Sequence, residues 1–323
     1  MKAVTVVESG VQILDVDTPS PQASEVLVKV HACGLNRADL VVADSGAQGA
    51  AGGPGTIVGM EFSGEIIKCG KTVKILSIGD RVMCSGTSAW AEYAIADYGR
   101  VIKIPDNNMD FVTASTLPIA LATMHNAIVK IGNFTKGQTI LIQGASSGVG
   151  LMGLQIAKYL GAKLVIGTST KQEKFDKLKS IGADLVVNSK DEEWVDQVLQ
   201  ATNGEGVDLI IDQLSGYTVN ENMKASKIKG TIVNVGRLAS GNTEFNCDLH
   251  ALRRINYHGV TFRTRLISEI REVYSKMWTD LRDLVATGRL SLPIDKTFEF
   301  NDVADALSFM RENQHFGKLI LKV

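Results

Sequence analysis

Short apolar runs and longer amphipathic stretches alternate through the middle of the chain. The runs read as buried strands, and each stretch between them repeats apolar residues at helical spacing, as Phe175, Leu178 and Ile181 do. The predicted strands are Thr139–Gln143, Lys163–Thr168, Leu185–Val187, Val207–Asp212, Gly230–Gly236 and Gly259–Thr264, and the predicted helices are 151–161, 171–181 and 194–202. Strands that alternate with helices are typical of parallel strands joined by helical crossovers. The middle of the chain is therefore predicted to be a doubly wound α/β domain.

The two ends of the chain have a different pattern. Near the start, short strand-like runs follow one another without helices between them, and they cover residues 25–30, 64–67, 79–82 and 91–94. Near the other end, residues 267–288 and 301–314 predict helices, the second with Asn301 as its N-cap, and residues 318–323 predict a final strand. We therefore predict a mainly β domain formed by residues 1–117 and 265–323, with an α/β domain at 118–264 inserted between them.

A glycine-rich run, GASSGVG, stands between the first predicted strand of the middle domain and the helix that follows it. Glycine permits a tight turn and close approach of a pyrophosphate, and a helix N-terminus presents unpaired amide groups to an anion. The strand–turn–helix setting favours a dinucleotide site over the alternative, a purely structural turn. The residues predicted to hold the cofactor here are Gly144, Ala145, Ser146, Ser147, Gly148, Val149 and Gly150.

The end of the second predicted strand indicates which nicotinamide cofactor binds. Proteins that prefer NAD place a carboxylate there for the ribose hydroxyls, whereas this chain has Gly167–Lys171 (GTSTK) and no acidic residue before Glu173. Hydroxyl and ammonium groups can donate to a 2′-phosphate. We predict NADPH as the cofactor, held by Thr168, Ser169 and Lys174, with Lys171 as the substitute for Lys174. The alternative is that both lysines only face solvent.

Composition narrows the class of protein. The chain of 323 residues carries 34 basic and 35 acidic side chains, so it shows no charge excess for nucleic acid or a membrane surface. Its apolar runs predict no membrane-spanning helix, and its first residues resemble a strand more than a signal peptide. The four cysteines have no paired spacing, which is typical of reduced thiols. We expect a cytoplasmic protein.

Further motifs lie along nearly the whole chain: VKVHACGLNRADL (28–40), PGTIVGMEFSG (54–64), GDRV (79–82), AEYA (91–94), GASSGVG (144–150) and GKLILKV (317–323). Together they resemble the medium-chain dehydrogenase/reductases, and among them the zinc-free quinone oxidoreductase branch. The resemblance implies a GroES-like catalytic domain built from both chain ends, a central Rossmann domain, and hydride transfer from NADPH to a carbonyl-conjugated acceptor.

The chain departs from the zinc-dependent relatives at their metal ligands. Asn36 stands where those relatives have their first cysteine ligand, and Met60 stands where they have histidine. The lobe with four close cysteines is also missing, since residues 80–90 contain only Cys84. We therefore expect no metal. The loop 44–53 and the Asn188–Ser189 pair also lack tyrosines that many relatives have.

The resemblance leads to named expectations for the site. Asn36 is the best candidate for a substrate or nicotinamide-ribose contact, and Thr123 matches a threonine that relatives place near the nicotinamide, although each could instead have a local structural role. Gly236, Phe262 and Lys318 are expected to contact the cofactor. The favoured function is NADPH-dependent reduction of a quinone or an α,β-unsaturated carbonyl compound. The alternatives are a crystallin-like NADPH binder and a reductase of an alcohol, aldehyde or enoyl thioester. A homodimer joined through residues 259–264 is expected.

Overall fold

The structure is a computed structural model that describes residues 1–44, 46, 52–105 and 109–323. The chain divides into two compact units, one formed by Met1–Ile119 and Phe262–Val323 and the other by Ala120–Thr261. We call them the outer unit and the inner unit, after their order along the chain. The loop 44–53, which has no tyrosine, lies mostly outside the described residues, because Ser45 and residues 47–51 are not among them.

The described residues form the following strands and helices. The strands are β1 (Lys2–Val7), β2 (Gly10–Asp15), β3 (Glu25–Gly34), β4 (Glu61–Cys69), β5 (Arg81–Ser85), β6 (Tyr93–Asp97), β7 (Val101–Lys103), β8 (Thr139–Ile142), β9 (Leu164–Thr168), β10 (Leu185–Val187), β11 (Val207–Asp212), β12 (Ser226–Asn234), β13 (Asn256–Gly259), β14 (Ile294–Glu299) and β15 (Lys318–Lys322). The helices are α1 (Arg37–Ala43), α2 (Phe111–Ala114), α3 (Pro118–His125), α4 (Gly148–Tyr159), α5 (Phe175–Ile181), α6 (Trp194–Ala201), α7 (Thr218–Ala225), α8 (Cys247–Arg253), α9 (Ile267–Ala286) and α10 (Val303–Glu312).

The inner unit is built on a parallel sheet with the strand order β10-β9-β8-β11-β12-β13. From β8, in the middle of the sheet, the chain adds β9 and then β10 on one side. It then crosses back and adds β11, β12 and β13 on the other side of β8. The strands are rich in residues such as Ile140, Ile166 and Ile210, which are fully buried because helices cover a sheet of this kind on both faces. The doubly wound sheet predicted from the sequence is confirmed, and its topological switch lies between β8 and β11.

The outer unit is mainly β. Its larger sheet has the order β14-β15-β3-β4-β5-β7, with β6 also paired to β3, and β3 is antiparallel to β4, β6 and β15. Its core includes Phe62, Trp90 and Leu321, which come from widely separated parts of the chain. The separate β-rich unit predicted from both chain ends is thereby confirmed as part of the fold class.

Two local predictions from the pattern are wrong. The last strand of the inner unit is Asn256–Gly259 instead of 259–264, because pairing with β12 ends where Gly259 lies opposite Asn234. The helix predicted from 301 begins at Val303 with Asp302 as its N-cap, since a 3₁₀ turn occupies Phe300–Asp302. By length and composition alone the helical run Phe111–Ile131 could cross a membrane, but 72% of its apolar window is buried inside the protein.

Candidate functional site

The glycine-rich turn joins β8 to α4 and is held by its neighbours through backbone groups. Gly144 has φ +66°, which favours glycine, and its amide donates to Thr168 Oγ1 at 3.0 Å. The amide of Ala145 donates to the Thr168 carbonyl at 2.9 Å. Ser147 is the N-cap of α4, and its hydroxyl accepts from the Gly150 amide at 3.0 Å. The turn is thus fixed before any ligand binds.

Several amides of this turn point to an anion site. Within the described residues, no acceptor is found for the backbone N–H groups of Ser146, Gly148 and Val149. Two of these amides belong to the first turn of a twelve-residue helix, where the helix dipole adds positive charge. A pyrophosphate would satisfy them, so the turn fits a dinucleotide.

At two further glycine positions, a side chain would clash with neighbouring backbone atoms. A Cβ at position 150 would lie 2.6 Å from the Gly144 carbonyl oxygen and 2.7 Å from the Ala145 Cα. A Cβ at position 236 would lie 2.5 Å from the Gln213 carbonyl oxygen. Gly150 therefore permits close helix–strand packing, and Gly236 permits β12 to leave the sheet close to the end of β11.

A layer of polar side chains lies beneath the turn, at the carboxyl ends of β8, β9 and β11. Gln143 Nε2 donates to Asn222 Oδ1 at 2.7 Å, and Gln143 Oε1 accepts from the Thr168 hydroxyl at 2.8 Å. Gln213 Nε2 donates to the Gln143 carbonyl at 2.9 Å, and its Oε1 accepts from Ser147 at 3.2 Å. The sequence reasoning missed both glutamines, although Gln143 ends one predicted strand and Gln213 directly follows another. Their amides join the two strands that flank the topological switch.

The region proposed for the 2′-phosphate follows β9. Ser169 is buried, its amide donates to the Val187 carbonyl, and its hydroxyl oxygen accepts from the Lys171 amide at 3.2 Å. Lys174 is 6% exposed and lies at the N-cap of α5, whereas Lys171 is exposed. The structure thus brings Thr168 and Ser169 to the edge of the glycine turn, with two basic residues in the segment that follows. Their contact with a cofactor stays a prediction.

A second polar cluster lies in the outer unit and includes two predicted site residues. Lys318 and Glu61 form a buried ion pair with Nζ and Oε2 2.6 Å apart. Asn36 joins them, since its Oδ1 accepts from Lys318 Nζ at 3.1 Å and its Nδ2 donates to Glu61 Oε2 at 3.0 Å. The other carboxylate oxygen of Glu61 accepts from the Ile119 amide at 2.7 Å, in the first turn of α3. We call Asn36, Glu61 and Lys318 the outer-unit triad.

Asp39 lies beside the triad and is completely buried. Its Oδ2 accepts from the Asn36 amide at 2.7 Å, which fixes the first turn of α1. Its Oδ1 has no hydrogen-bond partner among the described residues. Burial raises the pKa of Asp39 to about 7, and this rise outweighs the hydrogen bond from Asn36 and the nearby charge of Lys318.

Two predicted residues lie in neither group. Thr123 is half-buried in α3, and no hydrogen bond of its hydroxyl is found among the described residues. Its contact with the nicotinamide and its local structural role both stay predictions. Phe262 follows β13 in an irregular segment, and the guanidinium of Arg265 lies 5.0 Å from its ring centre.

No group of three or more His, Cys, Asp or Glu side chains that could hold a metal occurs in the described part of the chain. Asn36 and Met60 offer neither the thiolate nor the imidazole that zinc prefers. The cysteines are all free thiols, and burial raises the pKa of the Cys33 and Cys84 thiols. These residues do not fit a zinc site.

Two family models match this chain. The model described as "Alcohol dehydrogenase GroES-like domain" matches residues 22–106, and the one described as "Zinc-binding dehydrogenase" matches residues 148–280. Together they cover about two thirds of the chain. The second description refers to zinc, although the described residues hold no group of side chains that fits a zinc ion.

Curated relatives match the chain over nearly all of its length. A highly reducing polyketide synthase, pspA of Penicillium soppii, is 29% identical over 303 residues, which is 92% of this chain and 12% of that protein. The chain spans only 12–14% of the length of such relatives.

Solved structures share the fold. A probable oxidoreductase from Mycobacterium abscessus is 27% identical, with a TM-score of 0.87 and coverage of 100% of this chain and 99% of the other. A quinone oxidoreductase from Pseudomonas syringae has a TM-score of 0.88 at 23% identity and covers 100% and 99%. Mycobacterial Rv1454c, solved in complex with NADPH, has a TM-score of 0.90 at 24% identity and covers both chains fully.

Proposed function

Since the chain belongs to the medium-chain dehydrogenase/reductase superfamily, we propose that this oxidoreductase uses NADPH to reduce a quinone or an α,β-unsaturated carbonyl compound without zinc. The observation that carries the proposal is the glycine turn at the N-terminus of α4, where the described residues provide no acceptor for three amides. The end of β9 carries no carboxylate, which favours NADPH.

The residues of the inner unit would hold the cofactor as follows. The amides of Ser146, Gly148 and Val149 receive the pyrophosphate, because they are the unpaired donors of the turn. Ser169 and Lys174 would bind the adenosine 2′-phosphate, and Lys171 is the alternative to Lys174 for this contact. Among structures of the same fold, mycobacterial Rv1454c holds NADPH and another is described as an NAD-dependent alcohol dehydrogenase, so the choice of NADPH rests on the end of β9.

Bound NADPH supplies a hydride. A quinone or enone needs little help from a Lewis acid, since conjugation spreads the negative charge that the acceptor receives. Asn36 and Thr123 are the residues that the resemblance implies for orienting the acceptor and the nicotinamide. The proton that completes the reduction comes from solvent.

A second candidate is reduction of an enoyl thioester. The curated relatives that match nearly this whole chain are polyketide synthases, and an enoyl thioester is an α,β-unsaturated carbonyl compound as well. The same hydride transfer to the β-carbon serves both acceptor classes. The tyrosine that many relatives carry in the loop 44–53 is missing here, which favours the quinone or simple enone.

Initial rates of NADPH oxidation with matched acceptors test the proposal. A panel holds a benzoquinone, a naphthoquinone, a simple enone and crotonyl-pantetheine at equal concentrations, each with NADPH and with NADH. We expect turnover with a quinone or the enone and preference for NADPH. Turnover only with the thioester would establish the second candidate. Tight NADPH binding without turnover of any acceptor would support the binder alternative.

We further propose that the protein is a homodimer joined at β13. This strand lies at the edge of the inner sheet, and three of its four residues are exposed. Phe245 and Leu252 expose apolar surface in and just before α8, and the Phe245 ring packs edge-on against Tyr257 of the strand. An exposed edge of this kind is a template for pairing with a second copy.

A further inference from the structure

The side chain of Gln213 lies beneath the glycine turn and meets several of its polar groups. Gln213 is the first residue after β11 and is only 5% exposed. Its Nε2 lies 2.9 Å from the Gln143 carbonyl oxygen and 3.3 Å from the Gly144 carbonyl oxygen, and its Oε1 lies 3.2 Å from the Ser147 hydroxyl oxygen. One side chain at the end of β11 is therefore in contact with the end of β8, the start of the turn and the N-cap of α4.

The neighbours of this side-chain amide allow only one orientation. Both carbonyl oxygens can only accept, so each hydrogen on Nε2 has one acceptor. Turning the amide over would place Oε1 against these two acceptors. The Ser147 hydroxyl oxygen lies 3.2 Å from Gln213 Oε1 and 3.0 Å from the Gly144 carbonyl oxygen, so its single hydrogen is shared by these two acceptors. Gln213 therefore has no hydrogen left to donate to a ligand.

The peptide group between Gln143 and Gly144 is held from both sides of β8. Its carbonyl oxygen accepts from Gln213 at the end of β11, and its amide donates to Thr168 Oγ1, at 3.0 Å, at the end of β9. These two contacts fix the direction in which the chain leaves β8. The direction of the chain here determines where the amides of the turn point, since the turn begins with Gly144 at φ +66°.

The segment proposed for the 2′-phosphate is held by other contacts. The Ser169 amide donates to the Val187 carbonyl at 3.1 Å, and the Ser169 hydroxyl oxygen accepts from the Lys171 amide at 3.2 Å. Among the described residues, no hydrogen bond joins Gln213 to this segment. A change at Gln213 should therefore disturb the glycine turn and leave the segment after β9 in place.

We propose that Gln213 is a positioning residue for the pyrophosphate of the cofactor. It is buried and has no free donor, so it acts through the turn without touching the ligand. By fixing the start of the turn, it keeps the amides of Ser146, Gly148 and Val149 in place for one anion. A site that is ordered in advance avoids the cost of ordering it on binding. The inference rests on the proposed function, because it requires a dinucleotide at this turn.

Two ligands, titrated by calorimetry, separate the pyrophosphate from the 2′-phosphate. The first, 2′-phospho-ADP-ribose, carries both groups, and the second, 2′-AMP, has no pyrophosphate. Gln213→Met keeps the length of the side chain and removes its hydrogen-bonding groups. We expect it to raise the Kd for 2′-phospho-ADP-ribose about tenfold and the Kd for 2′-AMP less than about twofold. Gln200→Met, at an exposed glutamine of α6, is the matched control and should change neither Kd.

The other outcomes separate this inference from a general structural role and from the proposed function. An unchanged Kd for 2′-phospho-ADP-ribose in Gln213→Met would overturn the inference. An equal loss with both ligands would also overturn it, because a purely structural residue affects the whole site. Failure of wild type to bind either ligand would instead overturn the proposed use of NADPH. If Gln213→Met does not fold, Gln213→Glu takes its place, since it opposes an acceptor to the two carbonyl oxygens and should give the same selective loss.

A second measurement needs no variant. Both side-chain amide protons of Gln213, assigned through bonds in the NMR spectrum of wild type, should exchange slowly with solvent, because each is donated to a carbonyl beneath the turn. They should stay protected when 2′-phospho-ADP-ribose is bound, since the ligand does not replace these contacts. Rapid exchange of either proton would overturn the orientation on which the inference rests.

Discussion

The carbonyl oxygen of Gly144 lies 2.6 Å from the point where a Cβ on residue 150 would stand. Gly144 begins the glycine-rich run after β8, and Gly150 lies in the first turn of α4, so their close approach brings the helix N-terminus against the end of the strand. A methyl group at position 150 must push these elements apart.

We therefore expect Gly150→Ala to weaken NADPH binding by at least tenfold and to lower the melting temperature, because both the helix packing and the unpaired amides are displaced. Gly241→Ala is the matched control, since a Cβ there meets nothing within 4 Å. Calorimetric titration and thermal unfolding measure both effects. Equal NADPH affinity in the two variants would contradict the assignment of the turn.

Cofactor choice is tested at Lys174. We expect Lys174→Ala to raise the KM for NADPH about tenfold, which corresponds to about 1.4 kcal/mol, with little change in the KM for NADH. Lys179→Ala, on the exposed side of α5, is the control. Thermal unfolding of the variant shows whether loss of a buried side chain alone explains the result. Equal use of NADH and NADPH by wild type would refute the assignment.

Asp39 gives a prediction about pH. Its folded-state pKa, about 7, lies above the ordinary value of 3.8, so the folded state favours the protonated form. Its contribution to stability is complete below about pH 4 and is lost as pH rises to about 7. We expect Asp39→Asn, which keeps an acceptor for the Asn36 amide, to lose less stability than wild type between pH 5 and pH 8. At about 1.4 kcal/mol for each pKa unit, the difference is a few kcal/mol at most. Urea unfolding at several pH values measures it, and parallel curves for the two proteins would contradict the prediction.

The dimer is tested by two prolines at neighbouring positions. The Val260 amide donates to the Asn234 carbonyl at 2.9 Å, within the subunit, so alternation along the strand turns the Gly259 amide to the open edge. A Cβ at Gly259 meets nothing within 4 Å. We expect Gly259→Pro to release folded monomers and Val260→Pro to lower the stability of the subunit itself. Sedimentation and circular dichroism distinguish these results, and wild type that is monomeric at micromolar concentration would end the dimer proposal.

Independence from metal is the last prediction. Asn36 and Met60 replace the zinc ligands of related enzymes, so we expect full activity after exhaustive treatment with a chelator. Metal analysis of the purified protein accompanies the assay. One equivalent of zinc that is lost together with activity would contradict the expectation.

The sequence predicted those parts of the molecule that depend on nearby residues. The glycine turn needs only seven consecutive residues and the elements beside them, and the alternation of strands and helices is likewise local. The outer-unit triad could not be found in this way, because Lys318 and Glu61 are 257 residues apart and meet only through the pairing of β15 with β3 and of β3 with β4. The end of β13 was misplaced for a similar reason. Residues 260–264 have strand-like side chains, but pairing with β12 ends at the bond from the Val260 amide to the Asn234 carbonyl.

The pairing of β15 with β3 also determines the order in which the chain can complete its structure during synthesis. The inner unit is contiguous, so all of its parallel strands have been synthesised once residue 261 has been made. The outer unit is completed later. Its strands β3 and β4 are made early, but Glu61 has no ammonium partner until Lys318 is added. For more than 250 residues of elongation, the Glu61 carboxylate lacks this partner, and burying it unpaired would be costly. The last strand therefore closes the outer unit, and truncation just before it would leave a nascent protein with a folded inner unit and an open outer sheet.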